Sequence, residues 1–202
     1  MPRTFQSLCV YCGSSVGASP VYTDAARELA RTLAAANINL IYGGGNIGLM
    51  GIVANEMLQL GMKVTGVIPQ ALMRKEVGHL ELTKLHVVKD MHERKAMMAD
   101  LSDGFIAMPG GMGTLEELFE VLTWSQLGFH DKPIGLLNVD GFYQALLDFM
   151  QHLVSQRFVK PEHAELLVHA DTPAMLLQHM QAFEPKAASK WLNQATAQQV
   201  LP

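Results

Sequence analysis

Residues 109 to 117, PGGMGTLEE, gather three glycines, a threonine and two glutamates directly after the apolar run Phe105-Ile106-Ala107-Met108. Gly110, Gly111 and Gly113 let backbone N–H groups converge, and Thr114 adds a hydroxyl where a helical pattern begins. The free amides of a first helical turn, together with the helix dipole, favour an anion at that point. No Gly-Lys-Ser/Thr follows, so the stretch is not a Walker loop. Thr114 and Glu117 have capping-box spacing, in which a glutamate at the third helical position reaches back to the cap amide. The positive end of a helix also predicts an ionised carboxylate there. An ionised Glu117 suits stabilisation of a cationic transition state or activation of water, not general-acid work. Two readings stand side by side: an anion cradle with a reactive carboxylate, or a tight turn before a capped helix.

A second charge stands out because of its face. Asp90 through Leu101 read as a helix, with Asp90 as cap and Glu93 at the third position. At 100° per residue Arg94 falls between Met91, Met98 and Leu101, on the apolar stripe. A charge there is costly unless it is paired or faces a ligand. Lys95 lies at the edge of the same face and reads as a solvated charge. Glu76 reads as a loop charge, and Thr123 and Trp124 as surface and core of the following helix.

Two other strand ends carry small, flexible residues: Cys12-Gly13-Ser14-Ser15 and Gly43-Gly44-Gly45-Asn46-Ile47-Gly48. The second matches G-x-G-x-x-G, but the next strand closes Thr65-Gly66-Val67-Ile68-Pro69 without the acid that would hold a ribose. A nicotinamide or flavin dinucleotide is therefore set aside. Looser nucleotide or phosphate binding and close helix–strand packing both remain open. Gly13, Ser14, Gly44 and Gly45, with the run Gly110, Gly111, Met112, Gly113, Thr114, Leu115 and Glu116, are the candidate nucleotide-contacting residues.

What must position these groups is a regular alternation of apolar strands and amphipathic helices. Strands are expected at Ser7–Tyr11, Asn39–Tyr42, Lys63–Ile68, Leu85–Val88, Gly104–Met108 and Pro133–Leu137. Helices are expected at about Pro20–Ala36, Leu49–Leu60, Met91–Leu101, Leu115–Leu127 and Phe142–Ser155. Short apolar strands separated by single helices predict an α/β fold: a doubly wound, mostly parallel, Rossmann-like sheet covered on both faces. In such a sheet all three flexible turns share one edge, where ligands bind. One catalytic domain is expected over residues 1–183, and a tail over 184–202. The helix around Leu115–Leu127 is apolar over much of its circumference, as a subunit interface requires, so a homodimer is expected.

The bulk composition narrows the class. The 202 residues are 49% hydrophobic and 17% charged, with a net charge of −4, which suits a globular enzyme and gives no basic field for nucleic acid. No window is apolar enough to span a membrane, and no signal-like stretch opens the chain, so a cytoplasmic protein is expected. The histidines lack metal-ligand spacing, and no metal is expected. Cys9 and Cys12 sit three apart on a strand, which points them to opposite faces as packed thiols rather than a redox pair.

With these motifs assembled, the chain resembles the LONELY GUY family of cytokinin riboside 5′-monophosphate phosphoribohydrolases, long labelled lysine decarboxylases. Pro109 through Glu117 match the signature P-G-G-x-G-T-x-x-E, and Met91, Arg94 and Lys95 match Met-x-x-Arg-Lys. CGSS, YGGGNIGLMG, TWSQLGFHDKP and GLLNVDGFY are also similar, over about residues 5 to 170. The resemblance implies cleavage of the N-glycosidic bond of adenosine 5′-monophosphate or its N6-modified forms, giving free base and ribose 5-phosphate without a cofactor. It implies Arg94 and Glu117 as the catalytic pair, with Glu76, Lys95, Gly111 to Thr114 and Thr123 at the nucleotide. Arg94 would orient either the substrate or Glu117. No side chain stands out as proton donor to the leaving purine, which leaves water. A pyridoxal-dependent decarboxylase is disfavoured, since Lys95 is the only lysine near the motifs. The competing expectation is a nucleotide-binding module without catalysis.

Overall fold

The computed structural model describes residues 2–73 and 78–184. Glu76 and nearly all of the expected tail lie outside the described residues. Seven strands form one parallel sheet in the order β4-β3-β2-β1-β5-β6-β7. They are β1 (Ser7–Tyr11), β2 (Asn39–Tyr42), β3 (Val64–Pro69), β4 (Lys84–Val88), β5 (Phe105–Ala107), β6 (Ile134–Leu137) and β7 (Leu167–Ala170). The main helices are α1 (Pro20–Ala35), α2 (Gly48–Gln59), α4 (Met91–Asp100), α5 (Met112–Gln126), α6 (Gln144–Ser155) and α8 (Pro173–Ala182). Two single-turn helices, α3 (Gln70–Met73) and α7 (Pro161–Ala164), complete the chain order. The expected doubly wound α/β architecture is thus present, and its strands are all parallel.

Local chemistry explains where the helices begin. Ser19 accepts from the Val21 amide, with Pro20 following it at the first position of α1. Asp90 caps α4 by accepting from the amides of His92 and Glu93, and the Glu93 carboxylate accepts from the Lys89 amide. The strands are nearly all apolar because the sheet is buried on both faces. One face packs Leu8, Val10 and Leu40 against Leu29 and Leu33 of α1, Met57 of α2 and Leu176 of α8. The other packs Cys9, Phe105 and Leu136 against Met98 of α4 and Leu118 and Val121 of α5. Cys9 and Cys12 fall into these two different clusters, each a free buried thiol, as their strand spacing predicts.

The chain from 156 to 183 holds α7, β7 and α8, for which no pattern was read in the sequence. β7 is a four-residue strand, Leu-Val-His-Ala, too short to show a period. The segment after β3 opens with the single turn α3.

Strand order reverses between β1 and β5, and the candidate residues converge on the carboxyl side of that point. Gly13 N–H donates to Pro109 O at 3.0 Å, and Leu49 N–H donates to Gly13 O at 3.0 Å. The three flexible turns are therefore tied into one surface.

Candidate active site

The helix of the opening motif starts earlier than its capping-box spacing implies. α5 begins at Met112 with Gly111 as N-cap, in extended backbone (φ −93°, ψ −155°) and without a side-chain cap bond. Thr114 is therefore the third helical residue, and Glu117 lies in the second turn. The expected capping box is absent. Gly113 is tolerated in the first turn, so the helix runs back through it to Gly111. Gly110 cannot carry a side chain: a methyl group there would overlap Thr114 Oγ1 and stand 2.9 Å from Gly13 N. At Gly111 and Gly113 the corresponding space is open to 4 Å. Protein packing gives no reason for glycine at these two positions, whereas backbone approach to an anion does. Gly113→Ala is expected to stabilise the unliganded protein by roughly 0.5–1 kcal/mol through helix propensity. It should also raise KM for a nucleotide monophosphate; melting curves with and without ligand, set beside kinetics, check both parts.

Glu117 and Arg94 meet across the gap between α5 and α4, Arg94 Nη2 lying 3.4 Å from Glu117 Oε1. Both side chains are about nine-tenths buried. Arg94 Nη1 also approaches Met91 Sδ at 3.7 Å, and Nε finds no partner among the described residues. Arg94 and Met98 are buried as the helical wheel places them, whereas Met91 and Leu101 are exposed. A buried pair with an unsatisfied donor is weak evidence of stabilisation and characteristic of functional sites.

Burial works against the expectation that Glu117 is held ionised. Desolvation raises its pKa from 4.5 to about 7, outweighing the nearby Arg94 charge, with Glu116 adding to the rise. The cause lies in the corrected helix start. Six residues past the cap, Glu117 is beyond the amides that would have stabilised its charge and sits in the apolar layer instead. Near neutral pH it can both give and take a proton.

Around the pair lies a cleft of roughly 290 Å³, lined by Gly13, Ser14, Gly111, Gly113, Thr114 and Glu116 on its polar side, with Met112 at its rim. Cys12, Met50, Leu72 and Met91 supply apolar walls. Gly110 borders a neighbouring cavity that shares Gly13, Ser14 and Gly111. Leu115 packs against the core beneath α5 rather than lining the cleft. Gly44 and Gly45 also line neither cavity; Gly44 holds a left-handed turn (φ 76°) against Ile68 and Leu85. Thr123 is exposed, its hydroxyl donating to Phe119 O at 2.7 Å, nine residues along α5 from Thr114. It lines neither cavity. A larger crevice of about 680 Å³ lies between α6, α7, β7 and α8.

Lys95 departs from the expectation of a solvated charge. Its side chain is buried, with Nζ 2.5 Å from Glu116 Oε1 and 2.9 Å from Glu120 Oε1. Burial lowers its pKa, but the two carboxylates more than offset this and leave it raised. A lysine held as a paired ammonium is the reverse of the free amine that a Schiff base needs. Lys95 works instead as a clamp between α4 and α5, one residue from Arg94 and one from Glu117. Lys95→Met is expected to cost about 1–3 kcal/mol in denaturant unfolding. It should lower turnover more than nucleotide affinity; a large KM rise at unchanged kcat would instead make Lys95 a ligand contact.

Sequence reasoning missed His79. Its ring is buried: Nδ1 accepts from Glu81 N–H at 3.3 Å, which leaves Nε2–H to donate to Asn55 Oδ1 at 3.0 Å. Burial also lowers its pKa, against the opposing pull of Glu81, in keeping with the neutral ring. A lone histidine after a charged loop gave no signal of this.

Fold and site define a parallel α/β protein with a glycine-rich anion turn and a buried Arg–Glu pair. The model of one such family, described as "Possible lysine decarboxylase", matches residues 50–180, and the chain belongs to that family. Within it, the chain is 50% identical over 182 residues to the probable cytokinin riboside 5′-monophosphate phosphoribohydrolase LOGL6 of Oryza sativa subsp. japonica, covering 90% of this chain and 73% of that one. It is 48% identical over 200 residues to cytokinin riboside 5′-monophosphate phosphoribohydrolase LOG5 of Arabidopsis thaliana, covering 96% and 88%. The protein is a member of the LONELY GUY group. Among solved structures, the molybdenum cofactor carrier protein of Chlamydomonas reinhardtii is similar in fold, with a TM-score of 0.64 at 20% identity and coverage of 89% and 98%.

Proposed function

We propose that this protein hydrolyses the N-glycosidic bond of adenosine 5′-monophosphates, N6-modified forms included, to free base and ribose 5-phosphate. The observation that carries the reading is the buried Arg94–Glu117 pair beside a helix start where glycines leave backbone amides open. The names of the relatives at 48–50% identity point the same way.

The residues suggest an order of events. The 5′-phosphate binds at the amides of Gly111 to Thr114 and the start of α5. Ribose and base extend over Arg94 and Glu117, against Met91 and Leu72. Protonated Glu117 gives its proton to the departing purine as the C–N bond breaks. The resulting carboxylate stabilises the oxocarbenium-like ribose, then takes a proton from the water that attacks the anomeric carbon. One carboxyl with a pKa of about 7 thus begins and ends protonated, and the proton balance closes. Arg94 keeps Glu117 in place and stabilises its transient charge.

Pairing of two copies through α5 belongs to the same proposal. It is supported by the exposed apolar side chains of Met112, Phe119, Leu127 and Phe129 on and after that helix, among which Thr123 sits. Sedimentation at two concentrations tests it. A cytoplasmic location is proposed with it from composition. None of the described helices is long and apolar enough to cross a membrane.

The test of the activity is incubation with AMP and with isopentenyladenosine monophosphate, followed by chromatography for free base. No base from either at high protein concentration leaves a nucleotide-binding module without catalysis.

A further inference from the structure

We infer that the glycine turn Gly43–Gly45 is the seat of the Arg94 guanidinium, so that Gly43 is a positioning residue for the proposed reaction. A methyl group on Gly43 would overlap Arg94 Nη2 and stand 3.0 Å from Cζ and 3.6 Å from Nε. All three nearest atoms belong to Arg94, so the bare backbone of position 43 forms one wall of the guanidinium's slot. Gly43 has no left-handed backbone that would require glycine, which leaves this close approach as the reason for the residue.

A seat holds a side chain only if it cannot retreat. Behind Gly43, the left-handed Gly44 packs tightly against Ile68 and Leu85, each 3.2 Å from where its Cβ would stand. Gly44 O accepts from His79 N–H at 3.0 Å, and Gly45 bridges to Gly78. The buried His79 ring donates to Asn55 of α2, and Asn55 Nδ2 donates in turn to Asn46 Oδ1 at 3.4 Å. The turn is therefore bound to α2 and to the segment after residue 78. Pressure at position 43 falls on Arg94, whose Nη2 faces Glu117. The first glycine of the G-x-G-x-x-G match thus gives access to an arginine, while the last, Gly48, is left-handed and packs against the Ser14–Ser15 backbone.

The test is Gly43→Ala, alone and combined with Arg94→Ala. The single variant should lose turnover of AMP on the order of 10²-fold, as misplacement by about an ångström does. AMP affinity should stay within about threefold, and in the Arg94→Ala background Gly43→Ala should have no further effect. Turnover within about threefold of the parent protein, or losses that multiply in the double variant, would overturn the seat. If Gly43→Ala does not fold, recovery of folding by Arg94→Ala upholds the inference, and failure to recover overturns it. The inference rests on the hydrolase reading, and an activity-independent measurement separates the two. Titration of Glu117 by NMR of carbon-13-labelled glutamate should move to higher pH in Gly43→Ala, because the Arg94 charge has shifted away. An unchanged titration overturns the seat whether or not the parent protein releases base.

Discussion

Glu117→Gln is expected to cut release of base from AMP by about 10³-fold or more, while AMP binds within about threefold of the parent protein. Glutamine keeps the shape and a polar contact to Arg94 but can neither donate nor accept the proton. The parent protein should show kcat/KM falling as pH rises through about 7, since the proposed reaction starts from protonated Glu117. Rate against pH, measured under kcat/KM conditions, checks this. A rate that climbs through pH 7 would mean that the ionised carboxylate is the active form and the purine's proton comes from elsewhere. Full activity in Glu117→Gln would remove the residue from the chemistry altogether.

Stability should carry the same signature with the opposite use. Glu117 holds its proton more tightly in the folded protein than in the unfolded chain, where 4.5 is the ordinary value. Its contribution is therefore complete below about pH 4.5 and is lost as pH rises through about 7. The shift corresponds to on the order of 3 kcal/mol across that window. Urea unfolding of the parent protein at pH 5 and pH 8 should show this loss, and Glu117→Gln should lack most of it. Equal pH slopes in the two proteins would mean that the buried carboxyl is no harder to ionise than an exposed one. The proposed active site thus costs the fold stability at the pH where it works, as buried catalytic carboxyls do.

Much of this protein was legible from its residues. The six strands expected up to Pro133–Leu137 are present, two with unchanged ends and four with ends shifted by one residue, because apolar runs between helix-period segments have few other solutions. Arg94 was visible as a charge on an apolar stripe, and the free thiols Cys9 and Cys12 as residues on opposite faces. The start of α5 was misread for a local reason. Thr-x-x-Glu is a sound capping signal, but a helix that can continue back through Gly113 to a cap at Gly111 gains a further turn of hydrogen bonds. Lys95 was misread because a wheel places it at an edge without saying that Glu116 and Glu120 of another helix stand over it.

By itself, the sequence determined which chemistry was available: an anion turn from three glycines, one carboxylate, one arginine on the wrong face, and an alternation that admits little besides a parallel sheet. Those properties are local, carried by backbone freedom and periodicity within a dozen residues. The tertiary structure decided the desolvation of Glu117, the partner of Arg94, the pairing of Lys95 with Glu116 and Glu120 and the approach of Gly43 to Arg94. Each of these depends on desolvation or contact between segments tens of residues apart in the chain, and such quantities exist only once the helices have packed on the sheet.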